Sequence, residues 1–174
     1  MQKQTRAATL HKGEFQRLIK ITRATSKLPE RDVLMLGHKV GLRITEISRI
    51  TIADVMFPSG KLRQEVSMRA AVTKGCRPRR AFFVHKQLID ALEAYLEHRL
   101  TRGIGTELGV VNYRGLLAHM PLIFGARGAP LQQNTKRRVL VTGEAKAYKA
   151  CDSLQAHVTK LYKLAGIADG SSHS

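Results

Sequence analysis

The sequence predicts an α+β fold, a mostly helical domain with a small three-stranded antiparallel sheet. Apolar residues recur at helical spacing over residues 9–50, 86–100 and 152–165. From residue 52 to residue 85 apolar and polar residues instead alternate, as they do in half-buried strands. The chain has 174 residues, of which 43% are hydrophobic, and this is enough to bury one core. We therefore expect a single domain over residues 1–174.

Three helices are expected in the first fifty residues. The first covers residues 9–21, and the second starts near Pro29, a residue suited to the first turn of a helix. Gly41 can end the second helix in the left-handed conformation. A short third helix follows, with Thr45 as its expected N-cap. Arg43 would then lie in the connection between two helices, where its side chain can leave the packed layer.

The three expected strands cover residues 52–57, 66–72 and 80–85. The first ends at a Pro-Ser-Gly turn, and a second turn joins the other two strands. Phe82 and Val84 share one face of the third strand, which makes that face the expected core contact.

Amphipathic helices are expected over residues 86–100 and 152–165. The intervening segment, 101–150, is punctuated by glycine and is expected to be largely irregular. Within it, residues 136–138 are expected in an exposed loop, and a small hairpin is possible around residues 139–141.

The charge of the chain indicates a polyanionic partner. Thirty Lys and Arg against thirteen Asp and Glu give a formal charge of +17, which costs self-repulsion in a compact chain. Nucleic acid is the first expectation and an anionic membrane surface the second, although no apolar run reaches the length of a membrane span. Aromatic residues are scarce, which favours duplex DNA over single strands. The expected location is cytoplasmic and nucleoid-associated.

No metal or other cofactor is expected, because the sequence has neither a Cys-x-x-Cys pair nor a His-x-x-x-His pattern. Two basic clusters are instead candidate DNA-binding residues. The six residues are Arg77, Arg79, Arg80, Lys136, Arg137 and Arg138.

Two short motifs are the most informative features of the chain. Residues 41–47 read Gly-Leu-Arg-Ile-Thr-Glu-Ile, and residues 73–77 read Thr-Lys-Gly-Cys-Arg. Taken alone, Arg43 could be a surface cation or the ion-pair partner of Glu46, and Lys74 could be the solvated tip of a hairpin. Their order and spacing make a shared role in holding a phosphodiester the stronger interpretation.

In that order the motifs resemble the catalytic domain of tyrosine recombinases, the phage integrase family. Members of this family show Gly-Leu-Arg-x-x-Glu, then a lysine in a β-hairpin turn, then His-x-x-Arg and a nucleophilic tyrosine. His173 falls where the first histidine of the third motif is expected. The resemblance spans essentially the whole chain and is strongest over residues 29–100.

The resemblance implies a mechanism without metal. A tyrosine attacks one DNA phosphodiester, which forms a 3′-phosphotyrosine link and frees a 5′-hydroxyl. The family pattern makes Arg43 a clamp on the non-bridging oxygens, Lys74 the general acid for the leaving oxygen, and His173 an aid to proton transfer or phosphate binding. It also implies that the full-length protein acts as a homotetramer on DNA.

By the same pattern the second catalytic arginine, a later histidine or tryptophan and the nucleophilic tyrosine are expected beyond Ser174, and a DNA-clamping helical domain is expected before residue 1. The chain is therefore interpreted as a partial integrase catalytic domain that does not cleave DNA by itself. A non-catalytic basic nucleic-acid-binding module and a ribosome-associated protein are the alternatives. Convergence of Arg43, Lys74 and His173 on one pocket would distinguish the recombinase from a plain binder.

Overall fold

The computed structural model describes residues 10–25, 27–73, 77–125 and 127–167. Within these residues the chain is mixed helix and strand, and its strands form two separate two-stranded antiparallel sheets. The α-helices are α1 (Lys12–Ala24), α2 (Leu28–Val40), α3 (Ile44–Ile47), α4 (Ile52–Val55), α5 (Lys86–Thr101) and α6 (Asp152–Leu164). The strands are β1 (Glu65–Met68), β2 (Arg79–Phe82), β3 (Asn134–Val139) and β4 (Ala145–Ala150), and a 3₁₀ turn covers Asn112–Gly115.

The helical core follows the predicted pattern. Helix α1 buries Phe15, Leu18, Ile19 and Thr22, the face on which its apolar residues recur. Helix α2 packs against α1, α5 and α6 and ends at Gly41, whose φ of 73° is the left-handed conformation that glycine adopts without a steric penalty. Helices α5 and α6 also lie within one residue of their predicted limits.

The predicted three-stranded sheet is wrong. Residues 52–55 form helix α4, because Ile52, Val55 and Met56 turn inward at helical spacing. Asp54 Oδ2 accepts hydrogen bonds from the backbone N–H and the hydroxyl of Thr51, each at 2.9 Å, and so caps the start of this helix. Only β1 and β2 of the predicted strands form, and they pair with each other.

The β1–β2 hairpin is also shorter than predicted, and its second strand buries the face opposite to the predicted one. Val66 and Met68 of β1 and Ala81 of β2 are buried. Phe82 and Val84, the expected core face, are exposed, and Phe83 lies in the core instead. Apolar residues stand on both faces here, so alternation alone could not select the buried one.

A buried arginine organises the loop that follows α5. Arg99 is fully buried, and its guanidinium donates to the carbonyl oxygens of Ile104 (3.2 Å), Pro121 (2.9 Å) and Leu122 (2.9 Å). Its guanidinium also lies 4.4 Å from the ring centre of Phe124. Burial lowers the pKa of Arg99. Irregular backbone in this region is thus held by a side chain of the preceding helix.

The second half of the predicted irregular segment is regular. Strands β3 and β4 pair in register from Asn134 opposite Ala150 to Val139 opposite Ala145. Residues 136–138 therefore lie on a strand, and the possible small hairpin is a larger one. No helix among the described residues is both long and apolar enough to cross a bilayer.

Candidate nucleic-acid interface

A cleft of about 420 Å³ opens where four elements meet: the start of α3, the turn after β1, the β3–β4 hairpin and the start of α6. The described residues that line it include several cationic side chains and no carboxylate. The cations are Arg43, Arg49, Lys136, Arg138 and Lys149. A cleft with this lining attracts anions, and a phosphodiester suits the guanidinium and ammonium groups at its wall.

Arg43 is placed in the cleft by the turn at Gly41. It is the residue immediately before α3, and Thr45, the predicted N-cap, lies inside that helix. The backbone N–H of Arg43 donates to Glu46 Oε2 at 2.8 Å, so Glu46 rather than a threonine hydroxyl satisfies the helix start. The Arg43 side chain is 50% exposed and is available to a ligand.

Glu46 and Arg79 hold this corner together. The Glu46 side chain is fully buried, and its Oε2 accepts from Arg79 Nη2 at 2.6 Å. Arg79 Nη2 also lies 3.3 Å from the carbonyl oxygen of Gly41. Arg43 Nη1 lies 3.5 Å from Glu46 Oε1, so the ion pair considered from the sequence is present. Strand β2 is thereby tied to the loop that carries Arg43.

The hairpin cations divide between two faces. Lys136 and Arg138 line the cleft, whereas Arg137, between them on the strand, points to the opposite face. Lys136 Nζ lies 2.5 Å from Asp152 Oδ1. Hydrogen bonds from Lys136 and Asn134 lower the pKa of Asp152. The hydrogen bond between Lys136 and Asp152 also raises the pKa of Lys136.

The other predicted site residues lie elsewhere or are not described. Arg80 pairs with Glu65 on the solvent face of the β1–β2 hairpin, at 3.2 Å, and Arg77 is exposed. Neither lines the cleft. Lys74 and His173 fall outside the described residues, but Thr73, the neighbour of Lys74, is part of the cleft wall.

Among the cleft residues that the sequence did not identify are Arg49, Tyr148 and Lys149. Arg49 follows α3 without a motif of its own. Tyr148 and Lys149 belong to β4, which is exposed at every position except Ala150 and so has no buried face that would have identified a strand. Only the pairing register of β4 with β3 locates these residues, because it places Tyr148 opposite Lys136.

Comparisons with known proteins support the fold only. No protein-family model matches the chain, and no curated protein sequence matches it. The structure is similar to the crystal structure of XerA recombinase, with a TM-score of 0.60 and 17% sequence identity. The match covers 99% of this chain and 47% of that one, so the chain spans about half the length of the recombinase. The described residues therefore have a recombinase-like fold.

Proposed function

We propose that residues 1–174 form part of the catalytic domain of a tyrosine recombinase, a protein that breaks and rejoins duplex DNA through a 3′-phosphotyrosine intermediate. The observation that carries the proposal is the cluster of cations from several elements in the cleft around Arg43, within a fold similar to that of a recombinase. The order of the Gly-Leu-Arg and Thr-Lys-Gly motifs supports it independently of the fold.

Arg43 is suited to clamp the reacting phosphate. Its backbone is fixed from both sides, by the left-handed turn at Gly41 and by the buried carboxylate of Glu46, while its guanidinium reaches the cleft. A guanidinium can donate two parallel hydrogen bonds to the non-bridging oxygens, where negative charge increases in the transition state. A preorganised donor of this kind accelerates the step more than it strengthens DNA binding.

Lys74 and His173 complete the proposed proton transfers. Attack by the tyrosine oxygen forms a new bond to phosphorus and breaks the bond to the 5′ oxygen, which takes a proton from Lys74. His173 assists proton transfer or holds the phosphate. The position of Thr73 in the cleft wall supports an approach of Lys74 to the same phosphate. In the longer protein we propose that four such chains assemble on DNA.

The nucleophile is proposed to be none of the tyrosines at positions 95, 113, 148 and 162. Burial raises the pKa values of Tyr95 and Tyr162 to about 12, which opposes formation of the phenolate. Tyr148 lines the cleft, so it is the residue to test. We expect no SDS-resistant adduct between the 174-residue chain and a nicked duplex. An adduct that Tyr148→Phe abolishes would overturn this assignment of the nucleophile.

The test of the proposed function uses the coding sequence that contains this chain, expressed at its natural length, and a duplex that the protein selects from a random pool. We expect an SDS-resistant adduct with the unaltered protein and its loss in Arg43→Ala and Lys74→Ala, with duplex affinity reduced only a few-fold because many phosphate contacts remain. Arg80→Ala is the matched control. Binding without any adduct would instead support the non-catalytic nucleic-acid-binding module.

A further inference from the structure

We infer that the β3–β4 hairpin, residues 134–150, is an arm that enters the major groove of the duplex held at the Arg43 cleft. This inference rests on the proposed function, since it takes duplex DNA as the ligand. It goes beyond that function because the catalytic roles of Arg43, Lys74 and His173 require no such arm.

The hairpin is not built to pack against the body of the protein. All residues of both strands except Ala150 are exposed. A lone two-stranded hairpin is only marginally stable in water, so its shape depends on its base. There Asp152 accepts from Lys136 Nζ at 2.5 Å and from Asn134 Nδ2 at 2.9 Å. A projecting ribbon with no core face is explained by a ligand that covers it.

The charges of the hairpin fit a ligand that has phosphates on both of its sides. By strand register the face of Lys136 also carries Arg138 and Lys146, and the other face carries Arg137 and Lys149, the last of which also borders the cleft at the base of the hairpin. A flat or one-sided partner would use cations on one face only. A DNA groove is bounded by two phosphate backbones, so a ribbon inside it meets negative charge from both sides.

The dimensions of the hairpin agree with the major groove. Each strand has six residues, which span roughly 20 Å when extended. The major groove is about 12 Å wide and admits a two-stranded ribbon, whereas the minor groove is about 6 Å wide. The base of the hairpin lines the cleft with Arg43, so a duplex bound there is adjacent to the arm.

The tip of the hairpin carries groups that contact bases rather than phosphates. Val141 is completely exposed and Val139 largely so. An apolar side chain in the major groove packs against the methyl group of thymine. Glu144, the one acidic residue of the hairpin, lies in its turn, and a carboxylate accepts a hydrogen bond from the cytosine amino group.

A second copy of this chain is a less suitable occupant, despite the apolar tip. Each copy carries a formal charge of +17, and the hairpin is among its most basic segments. Two such surfaces repel each other in the absence of a polyanion. We therefore assign the tip to DNA and make contact between copies an outcome of the test.

The experiment places a photo-crosslinker, p-benzoylphenylalanine, at position 141 of the 174-residue chain. The matched control carries it in place of Leu108, which is also completely exposed but lies in the loop after α5. The probe is a short mixed-sequence duplex. We expect irradiation to give a protein–DNA adduct from position 141 at least several-fold stronger than from position 108. Methyl green, which occupies the major groove, should suppress that adduct, and netropsin, which occupies the minor groove, should not.

The possible results separate this inference from the proposed function. Equal or absent DNA adducts at the two positions, with duplex affinity retained, would overturn the arm and leave the catalytic proposal standing. A protein–protein adduct from position 141 would assign the tip to a second copy. Suppression by netropsin alone would refute entry into the major groove. If the unaltered chain does not bind duplex DNA, this would instead count against the proposed function itself.

Discussion

The two β-hairpins among the described residues have the same topology and opposite chemistry. The β1–β2 hairpin alternates buried and exposed residues, with Val66, Met68 and Ala81 in the core. The β3–β4 hairpin is exposed on both faces and rich in cations. The first is shaped by the hydrophobic core, which uses one of its faces. The second contributes almost nothing to the core, so its sequence is free to serve a ligand. Four comparisons between the hairpins or their side chains test this contrast.

Truncation of apolar side chains should give the largest difference between the hairpins. Met68→Ala removes a buried side chain of β1 and should lower the free energy of unfolding by about 2–5 kcal/mol. Val141→Ser, at the exposed tip of the other hairpin, should change it by no more than about 0.5 kcal/mol. Urea denaturation followed by circular dichroism measures both. With Met68→Leu as a volume-conserving control, similar losses at positions 68 and 141 would contradict the contrast.

Within the β1–β2 hairpin, loss of an ion pair to a buried carboxylate should lower stability more than loss of an exposed ion pair. Arg79→Ala leaves the buried carboxylate of Glu46 without its shortest contact and should cost about 1–3 kcal/mol of unfolding free energy. Arg80→Ala removes an exposed pair with Glu65 and should cost about 0–1 kcal/mol. Denaturation of both variants checks this. An Arg80 variant as unstable as the Arg79 variant would show that burial of Glu46 is not what matters.

For DNA affinity, unlike for stability, substitutions in the β3–β4 hairpin should have larger effects than substitutions in the β1–β2 hairpin. Arg138→Ala removes a cation of the cleft face and should reduce the slope of log affinity against log salt by about 0.9, the effect of one lost phosphate contact. Arg80, which is paired with Glu65, should contribute less. Fluorescence anisotropy on one duplex over a salt series measures the slopes. A larger change for Arg80→Ala would place the duplex against the β1–β2 hairpin instead.

The smallest expected effect is a pH dependence confined to the second hairpin. The pKa of Asp152 is lowered by its hydrogen bonds to Lys136 and Asn134, so the folded state binds its proton less readily than the unfolded state does. The stabilisation is present above the usual aspartate pKa and is lost as pH falls through the lowered value.

Amide hydrogen exchange measures this effect. After correction for intrinsic rates, residues 134–150 should lose protection in that acidic range while residues 65–68 and 79–82 keep theirs. Asp152→Asn should remove the pH dependence. Simultaneous loss of protection in both hairpins would mean that acid unfolds the whole domain.

The contrast also explains which elements could be predicted. Helices α1, α2, α5 and α6 follow from apolar residues at helical spacing, because an amphipathic helix carries its whole signal within its own sequence. Strands β3 and β4 were missed since neither has a core face and so neither shows alternation. Residues 52–57 were assigned to a strand although Thr51 and Asp54 form a helix cap, a local signal that was present but was outweighed by apparent alternation.

Some residues of the candidate site could be predicted from the sequence, but their contacts with one another could not. The Gly-Leu-Arg segment located Arg43, since a glycine that ends a helix forces the next residues into a turn. The role of Arg79 as the partner of Glu46 was not predictable, and neither was the separation of Arg137 from Lys136 and Arg138 by strand register.

By itself the sequence determined the helical core, the turn that presents Arg43 and the excess of positive charge. Each of these depends on neighbouring residues or on composition alone. Only the tertiary structure decided that cations flanking α3 meet cations of β3 and β4 in one cleft, whose described lining has no carboxylate, and that the second hairpin stands clear of the core. The physical reason is that convergence depends on how elements distant in the sequence pack, and long-range packing leaves no periodic signal in any one of them.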